Sequence, residues 1–153
     1  MELLKIFFFL LLSLSTAGAM EIHGLRFLDE NPKCELKKNT LFLKRKIEGL
    51  GRIHRRYDLR CPWGKGRAYI INDKIRTHFQ KVFIAFNGDT IVALEPFKFE
   101  EPVKYMAPKK WLDFFFLNKK ANIKGIDTIS GATLTTESIK RAVLKAWKLE
   151  ANE

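Results

Sequence analysis

Hydrophobic and polar positions fall into an orderly pattern from Ala68 onward. Ala68 to Ile71 reads as a strand, Asn72-Asp73 as a turn, and Ile75 to Phe79 as its return, together a hairpin. Lys81 to Phe86 is rich in Val, Phe and Ile and predicts a further strand. Asn87-Gly88 is a strong two-residue hairpin signal of type I′, with Thr90 to Leu94 as the partner strand. Pro96 is expected to end that strand, because it cannot donate to a ladder.

The period then changes. Pro108 fits the first turn of a helix running to Leu117, with Trp111, Leu112, Phe115 and Phe116 as its apolar side. Ile139, Ala142, Val143, Ala146 and Trp147 make a single stripe at helical spacing, and Lys140, Arg141, Lys145 and Lys148 take the other faces. This predicts a C-terminal helix from Thr136 to Leu149, with Thr135 as N-cap and Glu137 as a first-turn acid. The class expected is α+β: a small antiparallel sheet packed with helices. Before Ala68 the pattern is mixed. Asn31-Pro32 and Pro62 to Gly66 are loops, and Thr40 to Leu50 suggests a short helix ending at Gly49 or Gly51.

Residues 1–19 read as a signal peptide. Lys5 starts it, Ile6 to Leu14 is apolar apart from Ser13, and Ala17-Gly18-Ala19 is a small-residue cleavage pattern. The run is short of the ~20 residues a membrane span needs. Export, with a periplasmic or extracytoplasmic location, is the expectation. About 130 residues remain, one domain's worth.

The formal net charge of +11 suits an anionic membrane surface, an acidic redox protein or nucleic acid. Export and the lack of any nucleic-acid-binding motif set nucleic acid aside. Most of the basic residues, including the run Arg52, His54, Arg55, Arg56 and Arg60, are expected to be solvated surface. Cys34 and Cys61 suit a structural disulfide in an oxidising compartment, with two free thiols or a redox-active pair as the alternatives. Neither thioredoxin-like nor haem-attachment spacing is present. His23, His54 and His78 form no metal-ligand spacing, and no Ser-His-Asp arrangement or nucleotide loop is visible.

The stretch Gly125 to Thr136 carries the candidate chemistry. It opens the last helix, whose N-terminus offers unpaired N–H groups and roughly half a positive charge to an anion. Gly131 permits close approach to the backbone. Thr133 therefore suits a phosphorylated ligand, held noncovalently or esterified to its hydroxyl. A helix cap with no ligand is the plainer reading of Ser130-Gly131-Ala132-Thr133.

Asp127-x-x-Ser130-Gly131-Ala132-Thr133 resembles the flavinylation motif of the FMN-binding domain family, which includes flavin-bearing subunits of sodium-pumping and Rnf-type electron-transfer complexes. Glu95-Pro96, Glu101-Pro102, Tyr105, Pro108 and Trp111-Leu112 are similar to the small exported branch of that family. The likeness spans about Ala68 to Leu149, which would make 20–67 an N-terminal extension and 68–153 the FMN-binding domain.

The resemblance implies FMN joined through a phosphoester to Thr133 by a flavin transferase. Asp127, Ser130, Gly131, Ala132, Leu134 and Thr135 would form the attachment site, and Trp111 or Tyr105 are candidates to stack on the flavin ring. It implies an electron-transfer flavoprotein with a membrane or periplasmic redox partner, rather than a stand-alone enzyme. A basic exported docking module with no cofactor is the alternative.

Overall fold

A computed structural model describes residue 22 and residues 24–39, 55–117 and 120–152. The expected signal peptide, the Thr40 to Leu50 helix, His23, Arg52 and His54 lie outside the described residues. Five antiparallel strands form one sheet in chain order: β1 (Glu35–Lys38), β2 (Arg55–Cys61), β3 (Gly64–Ile75), β4 (His78–Asn87) and β5 (Thr90–Phe99). The helices are α1 (Arg26–Glu30), α2 (Lys109–Leu112), α3 (Phe114–Leu117) and α4 (Thr133–Glu150), with short 3₁₀ segments at Val103–Tyr105 and Lys120–Gly125. The α+β class, the antiparallel sheet and the C-terminal helix are as the sequence predicts.

Alternation along the strands gives the sheet two buried faces. Tyr69, Ile71, Val82, Ile84 and Phe86 face α2, α3 and α4, where Trp111, Phe115, Ile139, Val143 and Trp147 complete one core. Ala68, Ile70, Phe83 and Ala85 point the other way and pack with Leu25, Phe27, Tyr57 and Leu59. A disulfide joins Cys34 to Cys61, with the Cα atoms 4.2 Å apart, and so ties the start of β1 to the end of β2. The expected boundary at 67/68 falls inside β3, which runs through it without a break.

Five local expectations need correction. Pro62 to Gly66 is not all loop: β3 begins at Gly64, and Gly64, Lys65 and Gly66 pair with Cys61, Arg60 and Leu59. Asn72-Asp73 is not a turn. β3 continues to Ile75, and the turn is Arg76-Thr77, with Ile75 opposite His78. Ile71, Asp73 and Ile75 point inward while Asn72 and Lys74 are exposed, so the period-2 pattern and the partners of Asp73 override turn propensity. The next turn is centred one residue later than expected. Asn87 pairs with Thr90, leaving Gly88-Asp89 as the loop. Gly88 has φ +57 and Asp89 does not have positive φ, which fits type II′ rather than I′.

Pro96 does not end β5. It pairs with Val82 on the edge strand, beside a register shift that leaves Phe97 extra, and edge strands tolerate proline. Finally, the helix expected from Pro108 to Leu117 is broken at Asp113 into α2 and α3.

α4 is held on β3 by two carboxylates. Along its middle, Asp73 is buried and accepts from Ser138 Oγ (2.8 Å), Arg141 Nη2 (2.7 Å) and Lys145 Nζ (2.8 Å). Burial alone would raise the Asp73 carboxyl pKa, but the hydrogen bonds from Lys145, Arg141 and Ser138 outweigh it and hold it below the usual carboxylate value. At the far end, Glu150 accepts from Arg67 Nε (2.7 Å) and the Tyr69 hydroxyl (2.6 Å). Burial, and then Glu150, push the Tyr69 pKa well above the ordinary tyrosine range. These ties fix where the N-terminus of α4 opens.

Candidate functional site

α4 begins at Thr133, not at Thr136, and Ala132 is its N-cap. Alanine has no side-chain oxygen, so the N-cap residue makes no side-chain cap bond. The first turn, Thr133 to Thr136, contains no acid, and Glu137 lies just beyond it, 3.6 Å from Lys140 Nζ. The expected N-cap, Thr135, sits inside the helix, where it is buried and its carbonyl accepts from Gln80 Nε2 at 3.3 Å. Thr136 is buried as well and turns its hydroxyl back onto the Ala132 and Thr133 carbonyls, at 3.0 Å each. An 18-residue helix thus opens with no side-chain cap from its N-cap residue and no acid in its first turn, and the carboxylate that lines the adjoining cleft, Glu101, lies 3.2 Å from His78 Nδ1.

The motif loop before it is held firmly. Trp111 Nε1 donates to the Asp127 carbonyl at 2.7 Å, and its ring packs edge-on against Phe115 at 5.1 Å. Lys140 Nζ donates to the carbonyls of Ile126 (2.8 Å) and Lys124 (3.2 Å). Ala132 N–H closes a turn on the Ile129 carbonyl at 2.9 Å. Gly131 follows the left-handed path that this turn needs, at φ +84. Thr133 is exposed. Its hydroxyl donates to the Ile129 carbonyl at 3.3 Å, which leaves the oxygen lone pairs facing outward.

Two clefts flank the loop. Gly131, Ala132, Thr133, Leu134 and Thr135 form one wall of the first, about 230 Å³, and Ile75, Arg76, Glu101 and Tyr105 form the other. The second, about 720 Å³, is lined by Trp111, Phe114, Gly125, Ile126, Asp127 and Ile129. Asp127 therefore faces the second cleft while Thr133 faces the first, and Ser130 is exposed at the turn between them.

Of the two ring-stacking candidates, Trp111 is buried and spent on the loop. Tyr105 is 39% exposed and lines the first cleft, with Lys104 Nζ 4.9 Å from its ring centroid. His78 is exposed at the head of β4, with Nδ1 3.2 Å from Glu101 Oε1. Among the described residues, no group of His, Cys, Asp and Glu could hold a metal ion.

Ile75 and Arg76 were not identified as site residues from sequence, because the turn was misplaced by the Asn72-Asp73 signal. The alternation Ile71, Asp73, Ile75 carried the correct register and would have put Arg76 at the hairpin tip. Glu101 and Tyr105 reach the first cleft through the segment after β5.

The donor set favours a phosphorylated ligand: uncapped helix amides, an exposed hydroxyl at the first helical position and a guanidinium across the cleft. The exposed Leu134 and Tyr105 add apolar surface for a ring system. No curated protein and no solved structure shows significant similarity to the chain. The model of the FMN-binding domain family matches residues 10–148, starting inside the segment read as a signal peptide and covering the whole sheet, the motif loop and most of α4. A cofactor-free docking module is thereby set aside, and the chain belongs to the FMN-binding domain family, with FMN as its cofactor.

Proposed function

We propose that the chain is an exported flavoprotein that carries FMN through a phosphoester on Thr133 Oγ1 and transfers electrons outside the cytoplasmic membrane. The observation that carries this reading is the mouth of α4: an exposed Thr133 hydroxyl at the start of a helix whose N-cap is an alanine and whose first turn holds no acid. A phosphodiester there takes the place of a cap, and the helix offsets its charge.

Attachment is a phosphoryl transfer with no redox change. Thr133 Oγ1 would be the acceptor: it would form the P–O bond to the flavin phosphate as the bond from that phosphate to an activating leaving group breaks, and the hydroxyl proton would pass to a base of the flavin transferase. Gly131 and Ala132 keep the approach to Thr133 clear, and Ser130 and Asp127 shape the loop that the transferase grips. Leu134 and the backbone of Thr135 border the ester.

A tether suits the shape of the site. The cleft beside Thr133 is about 230 Å³ and open, below the ~300–1,000 Å³ typical of pockets that enclose a ligand. Loss of cofactor from an exported protein cannot be recovered from a cytoplasmic pool. The bound flavin supplies one- or two-electron transfer, and the protein supplies attachment and electrostatics. A net charge of +11 favours an acidic redox partner in the periplasm or at the membrane.

Intact mass tests the reading. Wild-type chain produced with its host's flavin transferase should gain the mass of FMN minus water, and Thr133→Val should gain none. An unmodified wild type, or an equal gain in Thr133→Val, would refute the ester.

A further inference from the structure

The first cleft has a second wall, and its cation is not explained by the fold. Arg76 is the first residue of the β3–β4 turn and has φ +50, a conformation in which an arginine is unusual. Glycine or asparagine would serve the turn better. Among the described residues Arg76 forms no hydrogen bond or ion pair. By contrast, Arg141, about two turns into the same helix, is committed to Asp73 and the Lys74 carbonyl. Arg76 nevertheless lines the same cleft as Thr133 and the start of α4.

Glu101 is the other charged side chain facing this cleft, and it is engaged by His78 Nδ1 at 3.2 Å. The hairpin tip is also fixed: Phe79 N–H donates to Glu100 Oε2 at 3.3 Å, next to that pair. Arg76 is therefore held at one place on the rim by the hairpin, with its head group uncommitted.

We propose that Arg76 is the cation that binds the phosphate group of the flavin nucleotide, opposite the amides of α4. The inference rests on FMN occupying the cleft beside Thr133, but not on the ester being formed. A guanidinium presents paired N–H donors that match phosphate oxygens, and a helix mouth presents a fixed row of amides. Together they grip the phosphate from two elements that the Asp73 cluster already locks in register. The grip discriminates FMN from riboflavin, which has the same ring and ribityl chain but no phosphate.

Unmodified protein, made without transferase, is titrated with FMN and with riboflavin by flavin fluorescence. The wild type should bind FMN more tightly than riboflavin. Arg76→Asn, which keeps a residue suited to positive φ, should lose about tenfold of that preference while its riboflavin affinity stays the same. Arg76→Lys should recover part of it as a point charge.

An unchanged preference in Arg76→Asn overturns the proposal, and so does a wild type that binds both flavins equally or neither. Failure here is separable from failure of the ester. Loss of preference in Arg76→Asn, together with no mass gain on exposure to transferase, would leave the phosphate site standing and remove Thr133 as acceptor. A full mass gain with no effect of Arg76 would do the reverse.

Discussion

Thr133 and Arg76 illustrate two ways in which a single residue reveals a site. Thr133 is exposed and its hydroxyl makes only a 3.3 Å bond to Ile129, so its chemistry is available rather than used by the fold. Arg76 carries a backbone cost that the fold does not require. A left-handed conformation costs a non-glycine residue about 1–2 kcal/mol. Glycine would relieve that, at a loss of about 0.4–1 kcal/mol for its greater freedom in the unfolded chain. Arg76→Gly should therefore stabilise the protein by a net of about 0.5–1 kcal/mol, read as a higher urea midpoint at unchanged slope. The same variant should discriminate FMN from riboflavin less well. Gain in stability with loss of phosphate preference marks a residue kept for its side chain. A loss of stability would instead make Arg76 part of the hairpin's own packing.

At the scale of elements, the site exists because α4 is pinned to β3, and Asp73 is the pin nearest the cleft. Its partners Arg141 and Lys145 remain partly exposed, so they can turn to water if the carboxylate is lost. That places Asp73→Asn below the 3–5 kcal/mol seen when a fully buried pair is broken, at about 2 kcal/mol. The sign with pH follows from the depressed carboxyl. Its contribution is complete above the unfolded-state value of ~3.9 and is lost as pH falls through the lower folded-state value. Urea midpoints of wild type and Asp73→Asn should differ at pH 7 and converge as pH falls below the unfolded-state value of ~3.9. A gap that stays constant through that fall would assign the effect to packing rather than charge.

The same residue shows what the sequence conveyed and what it withheld. The stripe from Ile139 to Trp147, the strand from Lys81 to Phe86 and the motif loop were readable, because period and composition are local. The end of β3 was not. Asn72-Asp73 is a good turn by propensity, and only the distant Ser138, Arg141 and Lys145 make Asp73 a buried strand residue. With the turn misplaced, the second wall of the cleft could not be seen. The helix start was also missed, since Thr135 looks like a cap unless the demand of Gln80 on its carbonyl is known.

On the scale of the whole molecule, the sheet separates two jobs. One face carries α4 and the motif loop, whereas Cys34 packs on the other among Leu25, Phe27, Tyr57 and Leu59. The disulfide closes a loop of sequence separation 27, worth ~3 kcal/mol in chain entropy. That stabilisation acts on the fold as a whole, because removing it enlarges the unfolded ensemble without touching the cleft. The double variant Cys34→Ala, Cys61→Ala should thus unfold at lower urea by an amount equivalent to about 3 kcal/mol. Below its midpoint it should still take up FMN, with the wild-type mass gain in the presence of transferase and an unchanged FMN-over-riboflavin preference. A redox-active cysteine pair predicts a different outcome, in which electron transfer through the flavin-loaded protein collapses while stability changes little. The two accounts separate cleanly, because one puts the cysteines in the stability of the second core and the other puts them in the path of the electrons.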